Sequence, residues 1–161
     1  MNIEWDKVLP SVIGALTGGT MSLLGSYFSA KRQANKEEKR REYEEKRAEK
    51  IALTSVRNEV EHNYIRYKYF NDYIKTQKLP AFGFSDSGVG LGLKLDKWDK
   101  HSDIIENIEG IPYMGRLRAF YMNIHADINL GVIEAERLNT TKEMAWEIRE
   151  KMTETIHENY Q

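Results

Sequence analysis

Residues 8–30, VLPSVIGALTGGTMSLLGSYFSA, contain no charged side chain, although 30% of the whole chain is Asp, Glu, Lys or Arg. That contrast constrains the fold more than any other feature. As a helix rising ~1.5 Å per residue, the stretch reaches roughly 34 Å, enough for a hydrocarbon core of about 30 Å. A buried or amphipathic soluble helix is the competing reading. A cleaved signal peptide fits less well, because Glu4 and Asp6 outnumber Lys7 ahead of the run and Phe28-Ser29-Ala30 is a poor cleavage site. The expectation is a retained single transmembrane helix, with residues 1–30 forming tail and span.

The small residues of this stretch are ordered. Ser11, Ala15, Gly18, Ser22, Gly25 and Ser29 recur every three or four positions, which places them along one side of a helix. Gly14 and Gly18 form a GxxxG, and Ser22 and Gly25 extend it. In lipid such residues let two helix backbones approach closely, and hydroxyls can bond across the contact. The spacing predicts self-association through Gly14, Gly18, Ser22 and Gly25, hence a homo-oligomer. In a ring of such helices, Thr17, Thr20, Ser22 and Ser26 could wet a lumen.

The flanks set an orientation. Lys31, Arg32, Lys36, Lys39, Arg40 and Arg41 follow the stretch, against Lys7 before it. The positive-inside rule then predicts the inner membrane, with the N-terminus out and the C-terminal body in the cytoplasm. Trp5 and Tyr27 sit near the two ends, where amphipathic rings favour the interface. The lack of cysteine agrees with a reducing compartment.

Residues 31–50 carry nine Lys/Arg and six Glu, whereas 51–161 are net acidic, so the formal net charge of −1 hides an asymmetry. Good helix formers dominate 31–50, and Glu37→Arg41 and Glu42→Lys46 are favourable i,i+4 pairs. This predicts a solvated juxtamembrane stalk helix, with Lys36, Lys39, Arg40 and Arg41 against anionic lipid. The six interleaved glutamates argue against nucleic acid as the partner.

Beyond the stalk, residues 51–161 read as one helical bundle. Leu53, Val56, Val60, Tyr64, Tyr67, Phe70 and Ile74 follow helical spacing to about Lys78, and Pro80 stops the helix. Residues 79–96 are a Gly-rich loop without the Lys and hydroxyl that close a phosphate loop; Val89, Leu91, Leu93 and Leu95 alternate as in a short strand. Asp96 is the expected N-cap of a short helix carrying Trp98, His101, Ile105 and Ile108, broken at Gly110-Ile-Pro112. A longer helix is expected from about Tyr113 to Leu138. Thr140-Thr-Lys-Glu143 reads as a capping box opening the last helix, lined by Ala145, Ile148, Met152 and Ile156.

Catalytic options are few. Glu59-Val-Glu-His62 and Glu154-Thr-Ile-His157 share the Glu-x-x-His spacing of di-iron bundles, with Glu106 and Glu134 as nominal extra ligands. Glutamate is abundant enough for chance matches, and His157 lies near the chain end. His125-Ala-Asp127 is too sparse for a site. No catalytic residue and no cofactor are expected, and the chain reads as a non-enzyme.

The order of parts, LPSVIGALTGGTMSLLGSYFS, a Lys/Arg/Glu helix, RNEVEHN, LDKW and FYMNI, resembles small single-pass bacterial or phage membrane proteins with a cytoplasmic helical domain. Some proteins so built resemble membrane effectors of antiphage systems. The resemblance implies an all-α membrane protein and no particular chemistry. The reading is thus a membrane-anchored, self-associating protein whose cytoplasmic bundle binds a protein or small-signal partner, with a pore-forming effector as the alternative and a metal-dependent bundle enzyme third.

Overall fold

The structure, a computed structural model, describes residues 5–83 and 91–160, with side chains described from Gly19 onward except at 20 and 23. The described elements are α1 (Trp5–Gln77), β1 (Ala81–Gly83), α2 (Asp96–Glu106), α3 (Met114–Leu130), β2 (Val132–Glu134) and α4 (Ala135–Asn159). The chain divides into two compact units, Met1–Glu45 and Lys46–Gln161. The mostly helical fold agrees with the all-α expectation, and a two-stranded ribbon is added to it.

In the first unit every described side chain is exposed, including Met21, Leu24, Tyr27 and Phe28. Among the described residues no helix is long and apolar enough to cross a membrane. The expected transmembrane span is not recovered there. Between Gly19 and Ala30, Ser22, Gly25, Ser26 and Ser29 separate the large apolar residues and dilute them. The side chains of residues 8–18 lie outside the described set. Residues 31–45 are helical and solvated, as the stalk reading predicts, with Arg40 Nε 3.6 Å from Glu44 Oε1.

In the second unit α1 supplies the stripe on which everything else packs. Leu53, Val56, Val60, Tyr67, Phe70 and Ile74 are buried at the expected spacing, Tyr64 is only half-buried, and Ala52 joins the stripe. They meet Leu117, Phe120, Tyr121 and Ile124 of α3 and Leu138, Ala145, Ile148 and Met152 of α4 in one apolar cluster. Each large side chain fully buried there is worth roughly 1.5–3 kcal/mol. Pro80 does follow the end of α1, but the stop itself is a backbone motif. Lys78 takes a left-handed φ of 56°, and the Leu79 N–H reaches the Ile74 carbonyl at 3.0 Å. This is a Schellman closure with lysine where glycine is usual.

The two strands were not expected. Ala81, Phe82 and Gly83 pair antiparallel with Glu134, Ile133 and Val132, and the Ala135 N–H extends the pairing to the Pro80 carbonyl at 3.1 Å. Phe82 and Ile133, opposite each other, are both buried, and Phe82 stacks on Phe70 at 4.3 Å between centroids. The ribbon divides the expected 113–138 helix. Gly131, at φ 66°, caps α3 and donates its N–H to the Asp127 carbonyl, so the chain turns out of the helix where glycine makes the left-handed step cheap. α4 then starts at Ala135, five residues ahead of the expected capping box. Thr140 instead sits inside it, its hydroxyl bonded to the Glu136 carbonyl, and Glu143 accepts from Asn139.

Candidate functional site

The sequence places four polar residues, Glu59, His62, Asn63 and Arg66, at i, i+3, i+4 and i+7 on α1, hence on one stripe of the helix. The structure lays residues 91–98, an irregular segment running into α2, along that stripe. Arg66 Nε donates to the Leu91 carbonyl at 2.9 Å, and His62 Nε2 lies 2.9 Å from the Gly92 carbonyl. Asn63 donates from Nδ2 to the Lys94 carbonyl and accepts the Lys94 N–H at Oδ1, both at 2.8 Å. Glu59 finishes the ladder. Its Oε2 accepts the Lys97 N–H at 2.8 Å, and its Oε1 accepts the Trp98 N–H and the Tyr121 hydroxyl, each at 2.9 Å. Every main-chain partner in this ladder would otherwise need water. Gly92, at φ 60°, lets the backbone pass close under Arg66; a Cβ there would lie 3.2 Å from Arg66 Nε.

Glu59 therefore does the work assigned in the sequence to Asp96. The residue before α2 is Leu95, which makes no side-chain cap, and the free N–H groups of the first turn are satisfied by a carboxylate from α1. Glu59 is 3% exposed. Burial pushes its carboxyl above the ordinary value, against the lowering effect of the Lys97 and Trp98 N–H groups and the Tyr121 hydroxyl. Asp96 is held below its ordinary value by the Lys97 ammonium first and by Glu59 second. The ring of Trp98 stacks on that of Tyr121, 4.8 Å between centroids and 10° from parallel, which seats α2 on α3. A groove of about 320 Å³ opens beside the ladder, lined by Ser55, Asn58, Glu59, His62, Lys94, Asp96 and Lys97.

A second buried polar group ties α1 to the turn between α3 and α4. The Tyr67 hydroxyl donates to Asp127 Oδ2 at 2.6 Å, and Arg137 Nη2 approaches Oδ1 of the same fully buried carboxylate at 2.7 Å, a charge contact outside aligned hydrogen-bond geometry. Arg137 also donates to the Asn123 carbonyl. At the far end of the bundle, Tyr160 donates its hydroxyl to Glu49, and its carbonyl accepts from Lys50.

The Glu-x-x-His repeats do not converge. Glu59 and His62 serve the ladder, while Glu154 and His157 are exposed on the last turns of α4. Among the described residues no group of three or more His, Asp or Glu could hold a metal ion. Glu106 pairs instead with Arg118, and Asp127 with Tyr67 and Arg137 rather than with His125. The expected association residues all fall on α1. Ser22 and Gly25 are exposed and a Cβ on Gly25 would meet nothing within 4 Å, whereas the surroundings of Gly14 and Gly18 lie outside the described residues. Lys36, Lys39, Arg40 and Arg41 are all exposed. The ladder itself was missed. Its signal was available as four consecutive polar positions on one stripe of an otherwise amphipathic helix.

Compared with protein-family models, curated proteins and solved structures, the chain matches none.

Proposed function

We propose that this chain is a non-enzymatic, membrane-anchored, self-associating protein whose helical bundle binds a protein or small-signal partner in the cytoplasm. The observation that carries the reading is α1. One uninterrupted helix, Trp5–Gln77, includes both the uncharged stretch and the central stripe of the bundle core, and every residue from 24 to 48 along it is exposed. A helix exposed over that length among the described residues presents its surface to lipid, to solvent or to another copy. Within it, Ser26 Oγ donates to the Ser22 carbonyl at 2.8 Å, so that hydroxyl needs no water. The anchoring itself rests on the composition of residues 8–30 and on the basic residues after them.

The direct test is flotation of the full-length protein with vesicles, compared with a chain lacking residues 1–30. Full-length protein floating through high salt and alkaline carbonate supports an integral anchor. Protein left at the bottom of the gradient defeats the reading. A second reading, a membrane-disrupting effector built from a ring of these helices, is favoured by the exposed Ser22 and Ser29 on the described part of the stretch. Induced expression with a membrane-potential dye tests it: depolarisation abolished by Gly18→Leu counts for it, and an unchanged potential counts against it.

A further inference from the structure

Residues 91–106 are attached differently from the rest of the bundle. α3 buries Leu117, Phe120, Tyr121 and Ile124, and α4 buries Leu138, Ala145, Ile148 and Met152. By contrast α2 buries Ile105 alone, and the segment before it buries Leu91. The other fastenings are polar or lie near the surface. They are the four α1 side chains that hold 91–98 by main chain, the half-buried Trp98 ring on Tyr121, and the exposed ion pair of Arg118 with Glu106. Docking also leaves a polar atom unsatisfied. On α2, His101 Nδ1 is enclosed without a hydrogen-bond partner among the described residues, and lifting the helix would let water reach it. Few buried apolar contacts and many hydrogen bonds at the surface mark a region that opens before the whole fold does.

We propose that residues 91–106 form a strap that opens from α1 and α3 as one unit while α1, α3 and α4 stay packed. The fastenings depend on one another. If 91–98 left α1, α2 would lose the carboxylate that caps its first turn, and a helix of 11 residues by itself is marginal in water. If α2 lifted instead, Trp98 would leave Tyr121 and carry the Lys97 and Trp98 N–H groups off Glu59. The long helices need neither. Leu117, Phe120 and Ile124 share one apolar cluster with the α1 and α4 stripes, and Tyr67, Asp127 and Arg137 join the same three helices at the ribbon end. A pivot lies between α2 and α3. There Gly110, exposed and at φ 79°, has nothing within 4 Å of where a Cβ would stand. Opening uncovers the Tyr121 ring and the row of Glu59, His62, Asn63 and Arg66, side chains spaced to hold an extended main chain. In the closed state the chain's own residues 91–98 occupy that row. This inference is independent of membrane anchoring.

The experiment is hydrogen exchange on the full-length protein in detergent, at one pH and at urea concentrations below the unfolding midpoint, with intrinsic exchange rates divided out. The bonded amides of Lys94, Lys97 and Trp98 and those of 101–105 are expected to share one opening constant, at least about tenfold larger than that of 144–156 in α4. That constant should change little with urea, because a strap exposes less surface than global unfolding does. Trp98→Ala removes the seat on Tyr121 and should raise exchange at Lys94 and at 101–105 by the same factor, about tenfold. A second readout uses thiols. The chain has no cysteine, so Ile105→Cys and Ile148→Cys each place a single thiol at a buried isoleucine. Ile105→Cys is expected to react with a thiol reagent at least about tenfold faster than Ile148→Cys. Protection over 91–106 that equals that over 144–156, with the same urea dependence, overturns the proposal. So does a rise in Trp98→Ala that stays within α2 and leaves Lys94 unchanged, or equal labelling of the two cysteine variants.

Discussion

Asn63 pairs with Lys94 as a neighbouring β-strand would, giving an N–H to its carbonyl and taking its N–H, both at 2.8 Å. One side chain of a helix thus satisfies both main-chain groups of a residue that belongs to no helix or strand. Asn63 is fully buried, and the stripe it shares with Glu59, His62 and Arg66 holds residues 91–98 by backbone alone. Side-chain identity in the segment matters at Leu91, Gly92 and Trp98, which are buried, closely approached and stacked on Tyr121 respectively; Lys94 is held through its main chain.

Replacing Asn63 by Ala removes both bonds and leaves Lys94 to find water in a space vacated by an amide. At about 1 kcal/mol for each lost bond, the loss expected is about 2 kcal/mol. Urea unfolding followed by circular dichroism would show it as a lower midpoint with unchanged slope. A midpoint that does not move means that the apolar contacts of Leu91 and Leu93 hold the segment by themselves.

The core of the bundle was legible because burial on α1 obeys a period that the sequence displays: Leu53, Val56, Val60, Tyr67, Phe70 and Ile74 were all readable from spacing. What spacing cannot show is a contact between distant segments. Ala81–Gly83 is too short to alternate visibly, and it becomes a strand because Val132–Glu134, about fifty residues later, lies beside it. The end of α3 was hidden for a related reason, since the helical spacing runs on past Gly131, which is a left-handed cap. Glu59 and His62 stand out by their spacing, and with the metal reading set aside the spacing gives no sign of the backbone they hold. A Glu-x-x-His on a helix faces one direction whatever it meets, and here it meets a backbone. Thr140-Thr-Lys-Glu143 failed as a cap because packing of Leu138 extended the helix ahead of it.

Lys78 is the one described non-glycine residue with positive φ, and its Cβ bears a cost of roughly 1–2 kcal/mol there. The side chain is exposed, so glycine would remove that strain and lose no packing. Part of the gain returns as backbone entropy of the unfolded chain. Lys78→Gly is expected to stabilise by about 1 kcal/mol, read as a raised thermal midpoint, and a lowered midpoint would contradict the Schellman closure.

Asp127 is fully buried between Tyr67 and Arg137, so removing either partner differs from removing the acid. Tyr67→Phe should cost about 1.5–3 kcal/mol, one hydrogen bond to a charged group. Asp127→Ala leaves the buried Tyr67 hydroxyl without its acceptor and takes the counter-ion from Arg137, which is partly exposed and keeps the Asn123 carbonyl, so it should cost about 3 kcal/mol. The pH dependence gives a separate check. Burial raises the Asp127 carboxyl above its ordinary value, although the Tyr67 hydroxyl and then Arg137 oppose the shift. The folded state therefore binds the proton more readily than the unfolded one. This contribution to stability is full below the ordinary carboxylate value and declines as pH rises through the folded value. Thermal midpoints across acid pH for the natural chain and for Asp127→Asn should diverge with that sign.

If the stalk meets anionic lipid, each of Lys36, Lys39, Arg40 and Arg41 near the surface contributes about 1 kcal/mol, and salt screens the effect. None of the four is buried, so substitution by Gln leaves the fold alone. Replacing all four should reduce association of a chain lacking residues 1–30 with phosphatidylserine vesicles by at least about a hundredfold at low salt, and change little with neutral vesicles. Equal binding to both vesicle types would remove the lipid role from these residues.

Gly25 separates association from folding. It is exposed, and a Cβ there would meet nothing within 4 Å of its own chain. Within a single helix Gly25→Leu is therefore free of clash and improves helix propensity by nearly 1 kcal/mol. Between two helices the outcome reverses. A leucine on a stripe with Ser22 and Ser29 pushes the backbones apart and forfeits the close contact that glycine permits. The mass of the particle in detergent, with the detergent subtracted, is expected to exceed one chain for the natural sequence and to fall toward one chain for Gly25→Leu, while circular dichroism shows equal or greater helix. A particle of unchanged mass would place the association surface elsewhere on the chain and leave the small residues without a partner helix.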